Sequence, residues 1–173
     1  MRVREATRFD ARSMARVYVE TWQATYRGIL PDAYLDAMTV EETERALTLE
    51  MTGQGVIGLL AEWGSEGVVG FVTGGVERRR DCVYGGEIFT LYVRSRFQRR
   101  GIGTRLVMDL VERMNRLGVF TVKVQVLRDN PSRRFYERIN GTLLNCGRIR
   151  FAGTEVPACT YGWIDTDLIR MAA

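Results

Sequence analysis

The middle of the chain carries a strand pattern, a helix pattern and a second strand pattern in direct succession. The first strand is "EIFTLYVR", residues 87–94, and the second is "VFTVKVQVL", residues 119–127. Between them, residues 104–117 place leucine, valine and methionine side chains on one side of a helix. A strand–helix–strand order makes a crossover connection. The pattern therefore predicts an α/β fold with this crossover near its centre.

The segments before the crossover predict helices and strands. "VREA" is a short strand, and Asp10 opens a helix over about residues 11–26. "LPDAYLDAM" is a short helix or a turn, and Thr39 with Glu42 forms a capping-box pattern for a helix to about Met51. "VIGLLAEW" and "VVGFVTGGV" are strands joined by the hairpin signal "GSEG".

After the crossover, the pattern predicts one more helix and two strands. Asn130 caps the helix, Pro131 takes its first position and Gly141 ends it. "TLLNCGRIRF" and "VPACTYGWI" form a closing antiparallel pair. The 173 residues suit one domain or two small ones, and no repeat, low-complexity segment or linker divides them.

The composition restricts the chemistry. The chain has no histidine, which removes histidine-based triads, the usual zinc ligands and the commonest general base. Proton transfer must then fall to Glu, Asp, Tyr, Cys or water. Of 25 basic residues only Lys123 is a lysine, and the net charge is +4. A GC-rich genome explains the arginines most simply, although their planar fork also suits phosphate.

The cysteines and the N-terminus bear on the cellular compartment. Cys82, Cys146 and Cys159 are odd in number and far apart, and they match no disulfide or metal framework. We expect each to fill a small apolar site, and we expect no metal. The N-terminus "MRVREATRFDARSM" is charged, and no apolar run approaches the ~20 residues of a membrane span. These features favour a cytoplasmic protein without membrane contacts.

Two glycines stand one residue apart in "FQRRGIGTRL", residues 97–106, where the central helix begins. The first turn of a helix leaves N–H groups unpaired and carries positive dipole character, so anions bind there. Gly101 and Gly103 let the backbone turn tightly and let a bulky anion touch it. Five arginines surround the loop: Arg94, Arg96, Arg99, Arg100 and Arg105. The loop is therefore predicted to bind phosphate.

Two common phosphate-binding motifs do not fit this loop. A Walker loop requires a lysine that is missing here. A dinucleotide fingerprint requires a third glycine where this chain has Leu106. What remains is Q-x-x-G-x-G followed by a hydroxylated residue, from Gln98 to Thr104.

This remaining pattern, within "EIFTLYVRSRFQRRGIGTRLVMDLVERM", resembles the acetyl-CoA-binding signature of the GNAT superfamily of N-acetyltransferases. "RDNPSRRFYERING" resembles the second family segment, and "TWQATYRGILPDAYLD" resembles the N-terminal segment of a common bacterial branch. The resemblance covers about residues 2–165. It implies a mixed, mostly antiparallel twisted central sheet of about six to seven strands, flanked by about four helices. It also implies one N-acetyltransferase domain over residues 1–173.

The resemblance implies how acetyl-CoA would bind. The strand "EIFTLYV" splays from "VFTVKVQV", and its free backbone groups hold the pantetheine arm like an added strand. The glycine loop surrounds the pyrophosphate, and the second segment approaches the cofactor. The residues implied are Leu91, Tyr92, Val93, Gln98, Arg99, Arg100, Gly101, Ile102, Gly103, Thr104, Asn130, Arg133 and Tyr136.

The implied reaction is direct transfer of acetyl from acetyl-CoA to a primary amine of an unidentified small molecule or protein. Tyr136 matches the tyrosine that several family members place by the CoA sulfur as general acid; its alternative is a core aromatic paired with Phe135. Glu87 stands near the family's position for a base, and its alternative is an exposed strand-end carboxylate. The amide of Leu91 is the candidate donor to the thioester oxygen.

Trp22 and Tyr26 lie one turn apart on the first predicted helix, which borders the acceptor site in the branch resembled. Packing of that helix against the sheet is the simpler explanation for either aromatic residue taken alone. The identity of the acceptor cannot be read from these residues. Family habit favours a homodimer.

Two other functions stay open. A catalytically idle relative would bind CoA as a sensor and would lack proton-transfer groups, whereas Glu87 and Tyr136 are present. A nucleic-acid-binding module could use "ERRR" and the arginines of residues 94–105. Acidic residues alternate with these arginines and no recognition motif is evident, so we expect no nucleic-acid partner.

Overall fold

The computed structural model describes residues 1–79, 81–151 and 153–171. In these residues, seven strands form one sheet: β1 (Arg2–Glu5), β2 (Val56–Glu62), β3 (Val68–Val76), β4 (Gly86–Val93), β5 (Val122–Leu127), β6 (Thr142–Phe151) and β7 (Thr154–Trp163). Six α-helices accompany them: α1 (Ala11–Thr25), α2 (Asp32–Ala37), α3 (Val40–Met51), α4 (Ile102–Arg116), α5 (Arg134–Arg138) and α6 (Asp167–Arg170).

The sheet is mixed, with strand order β1-β2-β3-β4-β5-β7-β6. Each neighbouring pair is antiparallel except β4 and β5, which run parallel. The parallel pair follows from the crossover through α4, since parallel neighbours need a long connection over one face of the sheet. The expected mixed, mostly antiparallel sheet is confirmed. The described residues hold two helices more than the four expected, and α2 and α6 are short, with six and four residues.

Helices cover both faces of the sheet. On one face, α4 belongs to the cluster in which Leu110 is buried with Ile88. On the other face, α1 and α3 belong to the cluster in which Met14 is buried with Phe71. Side chains alternate between the faces along a strand, and both faces are covered here. For this reason β3 is buried at seven successive positions. No helix in the described part of the chain has both the length and the apolar character needed to cross a membrane.

The helix expected from Asn130 and Pro131 begins later, at Arg134. Asn130 opens a turn instead: its Oδ1 accepts from the amide of Ser132 at 2.8 Å, and its carbonyl accepts from the amide of Arg133 at 3.0 Å. An asparagine side chain that bonds the backbone two residues on favours a turn. The predicted helix start was therefore wrong by about one turn.

The expectation for the cysteines was also wrong. Cys146 and Cys159 form a disulfide across the antiparallel pair β6 and β7, where they lie directly opposite each other. Their separation of 13 residues gave no sign of this, because the register of a hairpin decides which residues meet. Cys82 is free and exposed. Disulfides persist mainly in oxidising compartments, so the cytoplasmic location stays a prediction.

We expect Cys146→Ser to lower the free energy of unfolding under oxidising conditions by about 3 kcal/mol, because the disulfide closes a loop of roughly 15 residues. Guanidinium unfolding with and without reductant measures this, and the difference should vanish in reductant. Cys82→Ser is the matched control at an exposed free thiol. Titration of three reactive thiols in air-oxidised, denatured protein would contradict the disulfide.

Candidate functional site

A cleft opens where β4 and β5 separate. Their parallel pairing begins at Gly86 and Val122 and ends at Ile88 and Val124. Beyond that point the strands diverge, in agreement with the splay expected from the resemblance. The residues lining the cleft are Trp22, Tyr26, Phe89, Thr90, Leu91, Tyr92, Val124, Gln125, Val126, Leu127, Asn130, Tyr136, Ile149 and Phe151. None of these side chains is charged, and six of them are aromatic.

A β-bulge at Phe89 decides which backbone groups of β4 face the cleft. Thr73 pairs with Thr90 and the next residue of β3 pairs with Ile88, so Phe89 is the extra residue. Further along, the amide of Arg94 donates to the Val69 carbonyl of β3 at 2.9 Å. Backbone groups alternate in direction along an antiparallel strand, so those of residues 90, 92 and 94 face β3. Those of residues 91 and 93 therefore face the cleft.

Leu91 and Val93 thus present backbone groups where the resemblance implied them. The carbonyl of Val93 is already bonded, since it accepts from the side-chain amide of Gln98 at 2.9 Å. This bond ties the glycine loop to the end of β4. The groups that remain directed to the cleft are both backbone groups of Leu91 and the amide of Val93. An extended ligand can pair with such a row as an added strand does.

The glycine loop leads into α4 with an open amino end. Gly101 is the residue before the helix and has φ 76°, and Arg99 also has a positive φ of 61°. The amide of Arg105 donates to the Gly101 carbonyl at 3.0 Å, and the amides of the preceding helical residues have no earlier helical carbonyl to pair with. No side chain in the described ranges caps this end. A Cβ at Gly101 would meet no atom within 4 Å, so the space beside these amides is open.

The loop arginines differ in how they are paired. Arg94, Arg96 and Arg105 form ion pairs with Glu20, Glu66 and Asp109. Arg99 and Arg100 are exposed, and among the residues described neither has a carboxylate within 4.0 Å. The Arg100 guanidinium lies 5.6 Å from the ring centres of Trp63 and Phe97. Two arginines beside the open helix end are therefore available to an anion.

Tyr136 lies on α5 and lines the cleft. Its ring packs on Tyr161, with ring centres 5.9 Å apart, and lies edge-on to Phe135 at 5.3 Å. Burial raises the pKa of Tyr136 above its ordinary value, and nearby Tyr26 adds to the effect. The phenol therefore stays protonated and is suited to donate a hydrogen bond into the cleft.

Trp22 and Tyr26 both pack in the core and line the cleft. Each is 5% exposed, and their ring centres are 4.7 Å apart within a cluster that includes Leu35 and Leu127. Both also line the cleft. The hydroxyl of Tyr26 accepts from the side-chain amide of Asn130 at 2.8 Å. Burial raises the pKa of Tyr26 to about 12, and this hydrogen bond opposes the shift.

Two expected site residues lie elsewhere. Glu87 is absent from the cleft lining, and its Oε1 lies 3.2 Å from Nη2 of Arg78. Arg133 is also absent from the lining, and its guanidinium bonds the hydroxyl of Tyr161 and pairs with Glu137 at 3.3 Å. The roles assigned to both residues stay predictions.

A polar chain that no sequence pattern indicated ends at the cleft. Thr73 Oγ1 lies 2.6 Å from Glu50 Oε1 and 2.6 Å from Thr90 Oγ1. Glu50 is on α3, whereas the two threonines face each other across β3 and β4. No sequence pattern links the three residues, because only the strand register and the packing of α3 bring them together. The described residues contain no cluster of three or more His, Cys, Asp or Glu side chains suited to a metal ion.

The chain is similar to known proteins in sequence and in fold. A model of the Acetyltransferase (GNAT) family matches residues 14–142. The uncharacterized N-acetyltransferase YuaI of Bacillus subtilis (strain 168) is 30% identical over 168 residues, which cover 97% of this chain and 95% of YuaI.

Two solved structures illustrate the likeness of fold. PaiA N-acetyltransferase from Thermoplasma acidophilum, in complex with coenzyme A, has a TM-score of 0.69 at 18% identity and covers 94% of this chain and 98% of its own. YncA from Salmonella typhimurium, with its cofactor acetyl-CoA, has a TM-score of 0.69 at 20% identity, and the match covers 94% of this chain and 92% of YncA.

Proposed function

The chain belongs to the acetyltransferase (GNAT) family, and from this premise we propose that it transfers acetyl from acetyl-CoA to a primary amine, as one domain over residues 1–173. The observation that carries the proposal is the continuity of two binding features. The unpaired edge of β4 runs directly into the loop whose helix end is open, with Gln98 joining them. Together they suit a ligand with an extended amide-containing arm and a polyanionic end.

Acetyl-CoA fits this arrangement, and it supplies an activated acetyl thioester. The backbone of Leu91, Tyr92 and Val93 would hold the pantetheine arm. The residues proposed to hold the pyrophosphate are Gln98, Arg99, Arg100, Gly101, Ile102, Gly103 and Thr104. Two relatives in fold, PaiA with coenzyme A and YncA with acetyl-CoA, support this assignment. Asn130 would contribute from the opposite wall of the cleft, where it is already fixed by Tyr26.

The chemistry requires a neutral amine, a stabilised thioester oxygen and a stabilised leaving thiolate. The amide of Leu91 would donate to the oxygen as negative charge develops there. The hydroxyl of Tyr136 would donate to the sulfur as the carbon–sulfur bond breaks. Glu87 remains a candidate base from the sequence, although its carboxylate is paired with Arg78. Trp22 and Tyr26 would border the acceptor.

A panel of primary amines tests this function through release of the free CoA thiol. It contains phenethylamine, tyramine, spermidine, kanamycin, lysine and a tripeptide with a free N-terminus. We expect phenethylamine and tyramine to react with a kcat/KM at least about tenfold above spermidine and kanamycin, because a lining without carboxylates gives a buried polycation no counter-charge.

Titrations with acetyl-CoA and with DNA, run beside the panel, separate the alternatives. Acetyl-CoA binding without turnover on any amine would indicate the idle sensor. DNA binding with a steep salt dependence and no acetyl-CoA binding would indicate the nucleic-acid module.

A homodimer stays a prediction, and light scattering on the purified protein would check it.

A further inference from the structure

We propose that Thr90 accepts the proton of the acceptor amine from the cleft and passes it through Thr73 to the carboxylate of Glu50. This inference rests on the proposed transfer to an amine and adds the path by which that amine is deprotonated. It assigns no function to Glu87. Thr90 would touch the substrate, whereas Thr73 and Glu50 would act through it.

The direction of the hydrogen bonds follows from the chemistry of the three groups. An ionised carboxylate can only accept, so the single hydroxyl proton of Thr73 points to Glu50 at 2.6 Å. Thr73 then has no proton left for Thr90, and the 2.6 Å contact between the two hydroxyls must be donated by Thr90. Both lone pairs of the Thr90 hydroxyl then remain as acceptors. An ammonium or amine N–H in the cleft is the natural donor to them.

The buried Thr73 separates the two ends of the polar chain from Thr90 to Glu50. Thr73 has no exposed surface, and Thr90 lines the cleft beside Leu91, whose amide faces the same opening. Glu50 is half-buried near the end of α3, away from the lining. A proton can therefore leave the cleft without water entering beside the thioester, and Glu50 can afterwards release it to solvent.

The surroundings leave Glu50 free to take a proton. In the part of the chain described, no arginine or lysine nitrogen lies within 4.0 Å of its carboxylate. The titratable side chain near it is the phenol of Tyr18 on α1, whose ring centre lies 4.8 Å from that of Tyr92 on β4. Burial raises the pKa of both phenols, so they stay neutral and do not compete as bases. Glu87, in contrast, is held by Arg78.

The protons and bonds of the proposed reaction balance. An ammonium N–H proton moves to Thr90, the Thr90 proton moves to Thr73, and the Thr73 proton moves to Glu50. The amine is then neutral and attacks the thioester carbon, so that a carbon–nitrogen bond forms and the carbon–sulfur bond breaks. The surplus proton on nitrogen neutralises the thiolate, and Glu50 returns its proton to water. The products are an amide, CoA thiol and one released proton.

The test compares two acceptors of the same shape and different basicity. One is phenethylamine, or the best alkylamine of the panel, and the other is its aminooxy analogue, O-benzylhydroxylamine for phenethylamine. The alkylamine is an ammonium ion at neutral pH, whereas the aminooxy nitrogen is already neutral. We expect Glu50→Gln to lower kcat for the alkylamine about 100-fold at pH 7, the usual worth of a positioned base, and to spare the aminooxy compound.

The pH dependence and further variants complete the experiment. The loss of kcat in Glu50→Gln should become smaller as the pH rises towards the pKa of the free alkylamine. The Kd for acetyl-CoA should stay unchanged. Thr90→Val should reproduce the deficit, and Thr90→Ser, which keeps the hydroxyl, should restore turnover. Glu42→Gln is the matched control, since Glu42 is an exposed carboxylate on the same helix.

Three results would overturn the relay. Equal turnover in Glu50→Gln and Glu42→Gln would remove it, and so would equal losses on both acceptors at every pH, which indicate a structural role. If Glu50→Gln does not fold, wild-type turnover in Thr90→Val removes it. In each case the wild-type protein still acetylates amines, so the proposed function stands. Absence of wild-type turnover on every amine would remove the function and the relay together.

Discussion

Gly103→Val should raise the Kd for acetyl-CoA about 100-fold, which corresponds to about 2.7 kcal/mol of binding free energy. Gly103 lies in the first turn of α4, and a Cβ there would lie 3.5 Å from two ring carbons of Phe135. A single methyl therefore fits, but the two further methyl groups of valine must crowd either that ring or the open space beside the helix end. The pyrophosphate is proposed to occupy that space. Calorimetric titration with acetyl-CoA measures the loss.

Gly103→Ala is the matched control for this prediction. Its methyl group makes an ordinary contact with Phe135, and alanine favours the helix over glycine by about 1 kcal/mol. We expect the alanine variant to fold at least as well as the wild type and to keep most of its affinity. Thermal unfolding without ligand shows whether the valine variant is folded. A folded valine variant with wild-type affinity would contradict the assignment of the loop.

Tyr136→Phe should lower kcat about 100-fold, the usual cost of removing one donor at a developing negative charge. Tyr136 lines the cleft, and phenylalanine there keeps the packing against Tyr161 and Phe135 and removes only the hydroxyl. The acetyl-CoA Kd should therefore change little. Steady-state kinetics with the best acceptor of the panel gives both the turnover and its pH dependence.

The pH profile separates a donor from a packing residue. Burial holds the pKa of Tyr136 above its ordinary value near ~10, so the wild-type kcat should not fall between about pH 7 and pH 10. A raised pKa also favours a hydrogen bond to the thiolate over complete proton transfer, because a thiol titrates near ~8.5. Wild-type turnover in the phenylalanine variant would remove Tyr136 from the mechanism. A large loss of stability together with turnover would reassign it to packing.

Local pattern was sufficient to predict the elements that position the candidate site. The alternation in residues 119–127, the helical spacing after Gly103 and the glycine loop between strand and helix are all readable within about 30 residues. The parallel pairing of β4 with β5 follows from them. The resemblance to the GNAT signature then named residues 91–93 and 98–104 as candidates, because the signature lies within this one continuous segment.

Features that depend on register or on distant segments were not predictable in this way. The disulfide, the bulge at Phe89 and the chain from Thr90 to Glu50 each require residues of different elements to meet. Glu87 and Arg133 show the opposite case. Their positions in the sequence motifs predicted that they belong to the site. In the structure Glu87 pairs with Arg78 and Arg133 bonds Tyr161, and neither partner is part of a motif.

The extra residue at Phe89 makes the length of β4 as important as its side chains. If β4 kept its length but lost the bulge, Thr73 would pair with Phe89, and Leu91 would then donate its amide to β3 while Tyr92 turned its own outward. A substitution along this strand changes one position, whereas loss of the bulge at unchanged length would exchange every inner and outer partner beyond it. Proteins built on this scaffold should therefore vary freely in composition here, but should keep or lose the extra residue and the bulge together.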